Sequence, residues 1–342
     1  MTDTKQNDVV LSVKDLHVYF YTNRRCNKVL RGISFDIRRG RTLCVVGESG
    51  CGKSVTASSI LRLLPELSRI ESGSITYYKE DGSEVRIDQL KKNGREMRRL
   101  RGQDIAIIFQ DPMTALNPVY TVGHQIDEMI HEHKPALSKS QLKKESIEDL
   151  SDMGIPAADI RYGEYPHQFS GGMRQRAMIA MGMSCEPKIL LADEPTTALD
   201  VTISAQIFDL MNSLKTEHGT AIMMITHNMG VVAEMADEVA VMYMGNIVEY
   251  GSVEDVFTKP SHPYTKALLQ SIPVLGKGRN QQLEPIRGMT PDPFNRPKGC
   301  QFCPRCDFAC EKCETEMPDE EWVTEGHYTR CFNYREVLAN GK

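Results

Sequence analysis

The sequence predicts an α/β fold, a mostly parallel sheet flanked by helices, with a small cysteine-rich module near its end. Three observations carry this. Short apolar strands recur between helical patterns, one strand runs into a glycine-rich loop and then a helix, and six of the ten cysteines crowd between Cys300 and Cys331. Alternating units of this kind pack as parallel strands with helices laid on the faces.

Taken in order, Leu11 to Tyr21 and Lys28 to Ile37 alternate well enough to be strands. Thr42 to Val46 reads as a buried strand, and Ser54 to Leu64 carries a helical apolar pattern. Gly73 to Tyr78 is a further strand before the loop at Asp81-Gly82. Apolar strands follow at Ile105 to Phe109, Lys188 to Ala192 and Ala221 to Thr226. Between two of them, Val122 to Tyr162 is helical, polar and rich in Glu and Lys, like an inserted lobe. After Gly251 prolines multiply, at Pro260, Pro263, Pro273, Pro285, Pro291, Pro293 and Pro297, which puts a domain boundary there. The expected division is a nucleotide-binding domain over 1–250, with a helical subdomain over about 111–180, and an extension over 251–342.

With 342 residues the chain suits one large α/β domain plus an appendage. Charged residues at 25% and a net charge of −5 are ordinary, and nothing in them points to nucleic acid. The opening ten residues are polar, so no secretory leader is expected, and no run approaches the ~18 apolar residues of a membrane span. Membrane association is expected through partner proteins.

The run from Gly47 to Ser54 has two glycines framing four residues, then Lys and Ser. This spacing is the phosphate-cradling pattern, and a nucleoside triphosphate is the expected ligand. Gly47, Gly50 and Gly52 let backbone N–H groups point inward, and the following helix adds its partial positive charge. ATP-phosphate contacts are expected from Gly47, Ser49, Gly50, Cys51, Gly52, Lys53, Ser54 and Val55. Lys53 would reach the β/γ-phosphates, and the Ser54 hydroxyl would ligate Mg²⁺. Cys51, at the helix N-terminus, is expected to have a lowered thiol pKa, so that alkylation blocks ATP.

Lys188 to Glu194 is an apolar strand delivering two carboxylates at its C-terminal edge, where parallel sheets bind ligands. Asp193 would hold Mg²⁺, and Glu194 would orient or deprotonate the attacking water. Ser170-Gly171-Gly172 opens another helix, a second anion-ready N-terminus. Two phosphate sites but one hydrolytic carboxylate suggest that the second serves another subunit's nucleotide.

On these residues the chain resembles the ATP-binding subunits of ABC transporters, with a P-loop NTPase core carrying antiparallel β and helical subdomains. Gly47 to Ser54 is similar to Walker A, Ser170 to Gln175 to the signature, and Lys188 to Asp193 to Walker B. Gln110 resembles the Q-loop glutamine, Ala198-Leu199-Asp200 the D-loop, and His227 the switch histidine. The resemblance implies ATP and Mg²⁺, with Ser54, Gln110 and Asp193 at the metal. It implies catalysis by Glu194, His227 and Gln110, and an aromatic under adenine, Phe20 or alternatively Tyr21. It also implies head-to-tail pairing, in which Ser170, Gly171, Gly172 and Gln175 cap the partner's ATP and Asp200 lies in the D-loop.

Met113 to Pro118 and Ser261 to Leu269 look like segments of oligopeptide and dipeptide importer ATPases. The implied partners are a paralogous ATPase forming a heterodimer, two membrane-spanning permeases and an extracytoplasmic binding protein. The implied place is the cytoplasmic face of the inner membrane. Nickel or another small solute is the alternative cargo. An ABC ATPase acting on nucleic acid fits poorly, since residues 300–342 hold five Lys/Arg against nine Asp/Glu.

Two ligand sets compete among the clustered cysteines. Cys300, Cys303, Cys306 and Cys310 have C-x₂-C-x₂-C-x₃-C spacing, as in bacterial ferredoxins. The importer family instead implies Cys300, Cys306, Cys313 and Cys331, with a [4Fe–4S] cluster as first choice and Zn²⁺ as alternative.

Overall fold

The computed structural model describes residues 8–22, 25–111, 115–197, 199–271 and 286–339. Met113, Thr114, Ala198, Pro273 and Pro285, each singled out in the sequence, lie outside the described residues. The chain divides into two compact units.

One unit contains Leu11–Asp36, Thr42–Asp88 and the described part of Ile225–Lys342. Its first sheet is antiparallel, in the order Arg25–Arg38, Val9–Thr22, Ser68–Tyr78, Glu84–Arg86. Leu11 faces Tyr77 and Val13 faces Ile75, so alternate apolar residues share one buried face. In its second sheet, Thr42–Val46 runs parallel to Glu238–Tyr243, with Leu43 opposite Glu238 and Val46 opposite Val241. All five residues of Thr42–Val46 are buried, as expected of a strand covered on both faces. Glu238–Tyr243 then turns back through Met244 (φ 46°) and Gly245 (φ 84°) into the antiparallel strand Asn246–Ser252. Two successive positive φ angles match the twist of a tight hairpin. His327–Thr329 and Glu321–Thr324 extend this sheet antiparallel.

The other unit is built mainly on Gln89–Met224. Ile105–Ile108 pairs in parallel with Ile189–Asp193, Ile108 lying opposite Ala192, and Ala221–Thr226 follows on the other side of that strand. The polar stretch forms the helices Val122–His133, Lys139–Asp152 and Ala158–Arg161. Thr121 caps the first by accepting from the His124 N–H, and Ser138 with Gln141 forms a capping box on the second. Asp127 ties the lobe together by accepting from the Ser146 hydroxyl at 2.6 Å and the Tyr162 hydroxyl at 2.5 Å. No helix among the described residues is long and apolar enough to cross a membrane.

The expected strands all form, with ends shifted by a few residues. The pairing is less parallel than the alternating pattern suggested, because Glu238–Tyr243, Asn246–Ser252, Glu321–Thr324 and His327–Thr329 add antiparallel strands. The described part of the cysteine-bearing segment belongs to the same compact unit as the glycine loop.

Candidate nucleotide-binding site

The glycine loop is shaped by contacts that exclude side chains. Gly47 has φ 154°, and a Cβ there would stand 2.2 Å from the Met242 carbonyl oxygen. Gly52 has φ 110°, and its Cβ would meet Leu30 Cδ2 at 2.7 Å. Lys53, only 6% exposed, is drawn back over the loop, its Nζ donating to the carbonyls of Gly47 at 2.7 Å and Glu48 at 3.1 Å. The helix Lys53–Ile60 starts at Gly52 without a side-chain cap. Its first N–H groups therefore meet the loop, the arrangement that receives phosphate. Ser49, Gly50 and Ser54 are exposed and Val55 is half-buried. This cradle, with its cation and hydroxyl, fits a magnesium-bound triphosphate.

Cys51 departs from expectation. It is 5% exposed, and burial pushes its thiol up despite the nearby Lys53 ammonium. Desolvation outweighs the Lys53 charge and the backbone N–H bonds, so the shift runs opposite to the lowering expected from sequence.

The two carboxylates stand at the end of Ile189–Asp193, Asp193 half-buried and Glu194 in a left-handed turn with φ 47°. Because Ile105–Ile108 lies beside this strand in parallel, both open at the same edge, which brings Gln110 to Glu194. Gln110 Nε2 donates to Glu194 Oε2 at 3.0 Å, and the Thr197 hydroxyl donates to the same oxygen at 2.9 Å. The sequence reading missed Thr197, whose only sign was its place three residues after Glu194.

Ser170 caps the helix Gly171–Met183, accepting from the Met173 N–H at 3.3 Å. Asp200 caps Val201–His218 through the Ile203 N–H at 2.9 Å. Ser170, Gly171, Gly172, Leu199 and Asp200 line one ligand-sized pocket of about 480 Å³. Gln175 is absent from its lining and only 1% exposed. Its helix packs that side into the core, so Gln175 is a buried core residue and does not share the exposed face.

His227 is exposed at the end of Ala221–Thr226, ahead of the Asn228 cap of Met229–Met235. Phe20 is half-buried opposite Ser68. The alternative, Tyr21, is engaged, its hydroxyl donating to Glu71 and its ring lying 5.7 Å under Arg69.

Behind the glycine loop lies a residue whose role the sequence did not reveal. The Glu48 N–H donates to the Tyr264 hydroxyl at 2.8 Å, and Tyr264 is fully buried. Tyr264 belongs to the Ser261–Leu269 segment noted above, but 216 positions separate the two residues.

Cys300, Cys303, Cys306, Cys313 and Cys331 line one enclosed pocket with Phe302, whereas Cys310 does not. Burial pushes the Cys306 and Cys331 thiols up to about 12. The donor type and the convergence fit a thiolate-held metal. The spacing does not: the pocket holds about 10 Å³, and no group of three or more metal-binding side chains among the described residues forms a site.

The fold and the loop define a P-loop nucleotide-binding cassette. Residues 30–197 match the family described as ABC transporter, and residues 248–313 match the oligopeptide/dipeptide transporter C-terminal region. The chain is 48% identical over 324 residues to the dipeptide transport ATP-binding protein DppD of Bacillus subtilis, covering 94% of each. It is 46% identical over 334 residues to the oligopeptide transport ATP-binding protein OppD of Escherichia coli, covering 98% of this chain and 96% of that one. In fold it is similar to the ATP-binding cassette MJ0796 solved with ADP and Pi, with TM-score 0.62, 23% identity and coverage of 71% and 98%. The chain therefore belongs to the ATP-binding subunits of ABC transporters, in the oligopeptide/dipeptide branch.

Proposed function

We propose that this chain binds and hydrolyses MgATP to power import of oligopeptides or dipeptides through an ABC transporter. The observation that carries this reading is a built phosphate loop, with Lys53 poised over it, in a chain whose C-terminal region matches oligopeptide/dipeptide transporters.

Lys53 exchanges its two loop carbonyls for the β/γ-phosphates, and Phe20 stacks on the base. Ser54, Asp193 and Gln110 are the residues that would ligate Mg²⁺, which would supply charge neutralisation at the transferring phosphoryl group. Glu194 takes the proton of the attacking water, and His227 completes the catalytic set. The face of Ser170, Gly171 and Gly172, flanked by Asp200, caps the nucleotide of a paralogous ATPase paired head to tail. Two permeases and an extracytoplasmic binding protein complete the assembly, which puts this subunit at the cytoplasmic face of the membrane. Cys300, Cys306, Cys313 and Cys331 are the thiols that would hold a [4Fe–4S] cluster, with Zn²⁺ as the alternative.

The test is ATPase activity of the copurified membrane complex with and without peptide-loaded binding protein. Peptide-dependent stimulation supports the reading, and an ATPase indifferent to peptide contradicts it.

A further inference from the structure

The second residue of the phosphate loop is gripped by the cysteine module. Arg305 sits on the short turn Cys303–Arg305, with its side chain 4% exposed. Its Nη1 donates to Glu48 Oε2 at 2.8 Å and its Nη2 to Glu48 Oε1 at 2.9 Å, a two-pronged pairing. The guanidinium is itself fixed, donating from Nε to the Arg287 carbonyl at 2.9 Å and from Nη1 to the Tyr243 hydroxyl at 3.2 Å. The Thr290 hydroxyl adds a bond to Glu48 Oε2 at 2.7 Å. With Tyr264 receiving its N–H, Glu48 is held by both backbone and side chain.

This grip acts where the anion must sit. The Glu48 carbonyl also takes Lys53 Nζ at 3.1 Å and the Cys51 N–H at 3.3 Å, so moving residue 48 moves the curl of the loop. Charge matters as much. A bare carboxylate on the second residue of a phosphate cradle would repel the triphosphate, and a guanidinium laid fork to fork across it cancels that field. Burial alone would push the Glu48 carboxyl up, but the bonds from Arg305 and Thr290 outweigh it and hold the group below the usual carboxylate range. The pair is therefore ionic.

We propose that Arg305 is a positioning residue for the nucleotide, fixing Glu48 and neutralising its carboxylate so that the loop accepts MgATP. The cysteine module is then a working part of the nucleotide site rather than an appendage. The inference rests on reading the loop as the ATP site.

The experiment measures equilibrium binding of a fluorescent ATP analogue with Mg²⁺, together with thermal melting, on the full-length protein. The variants are Arg305→Met, Arg305→Met with Glu48→Gln, and Lys53→Ala. Arg305→Met should weaken binding about tenfold, the scale of a lost charged hydrogen bond. Adding Glu48→Gln should restore most of the affinity, because no stranded carboxylate remains. Wild-type affinity in Arg305→Met overturns the proposal. So does a loss that Glu48→Gln leaves unrelieved, which would mean that Arg305 only keeps the module folded. Where Arg305→Met does not fold, Arg305→Gln with and without Glu48→Gln gives the same comparison. Lys53→Ala separates the two readings: if it binds normally the loop is not the ATP site, and if it alone loses binding only the role of Arg305 falls.

Discussion

Replacing Glu194 with Gln isolates chemistry from architecture. In the structure one oxygen, Oε2, accepts from Gln110 at 3.0 Å and Thr197 at 2.9 Å. A glutamine that turns its amide oxygen to that position keeps both bonds and the same volume. Stability should therefore change by less than about 0.5 kcal/mol, the range of a surface substitution without lost partners. What disappears is the capacity to take a proton, and positioned general bases contribute roughly 10²- to 10⁴-fold. In the assembled complex, turnover should fall at least about a hundredfold, some 3 kcal/mol of barrier, while ATP affinity stays within about twofold. Single-turnover hydrolysis, nucleotide titration and thermal melting report these separately. Turnover near wild type removes Glu194 from the chemistry, and a joint loss of melting temperature and affinity makes its role structural.

Three further outcomes are expected. Gly47→Ala places a methyl 2.2 Å from a backbone carbonyl at φ 154°, so it should destabilise the loop by about 2 kcal/mol or more and abolish nucleotide binding, measured by melting and titration. Burial pushes the His262 imidazole down to about 4 from its ordinary 6.5. The unfolded chain therefore takes up the proton first, and this stabilisation is intact above pH 6.5 and falls by about 3 kcal/mol as pH drops towards 4. Denaturant unfolding across that window should show the loss, and His262→Asn, which can still accept from the Tyr264 N–H, should flatten it. Cys313→Ser should abolish bound metal while Cys303→Ser retains it, assayed by elemental analysis of protein made with iron supplied. The reverse result would favour the C-x₂-C-x₂-C-x₃-C set.

What the sequence disclosed was whatever depends on neighbours along the chain. Gly47 to Ser54 could be read because the loop's backbone geometry is demanded locally by its glycines. Gln110 and Glu194 could be placed at one edge because parallel strands deliver their following residues together. The cysteine pocket was foreshadowed by crowding, though not that Cys310 would stay outside it. Contacts that close over long separations were silent. Nothing near Glu48 announces Arg305, 257 positions away, and nothing near Cys51 announces the burial that outweighs the Lys53 charge. Glu249 likewise reads as an ordinary strand acid. It is fully buried, accepting from the Ser261 and His262 N–H groups and paired with His327 Nε2 at 2.9 Å, which ties Asn246–Ser252 to the segment before Tyr264.

A nucleotide on this phosphate loop is proposed to be enclosed by a second ATPase, each subunit completing the other's pocket. Sedimentation of the full-length Glu194→Gln protein mixed with the paralogous ATPase, with and without MgATP, tests it most directly. A complex should form with MgATP and dissolve on its removal. Two subunits that remain apart at saturating MgATP would contradict it.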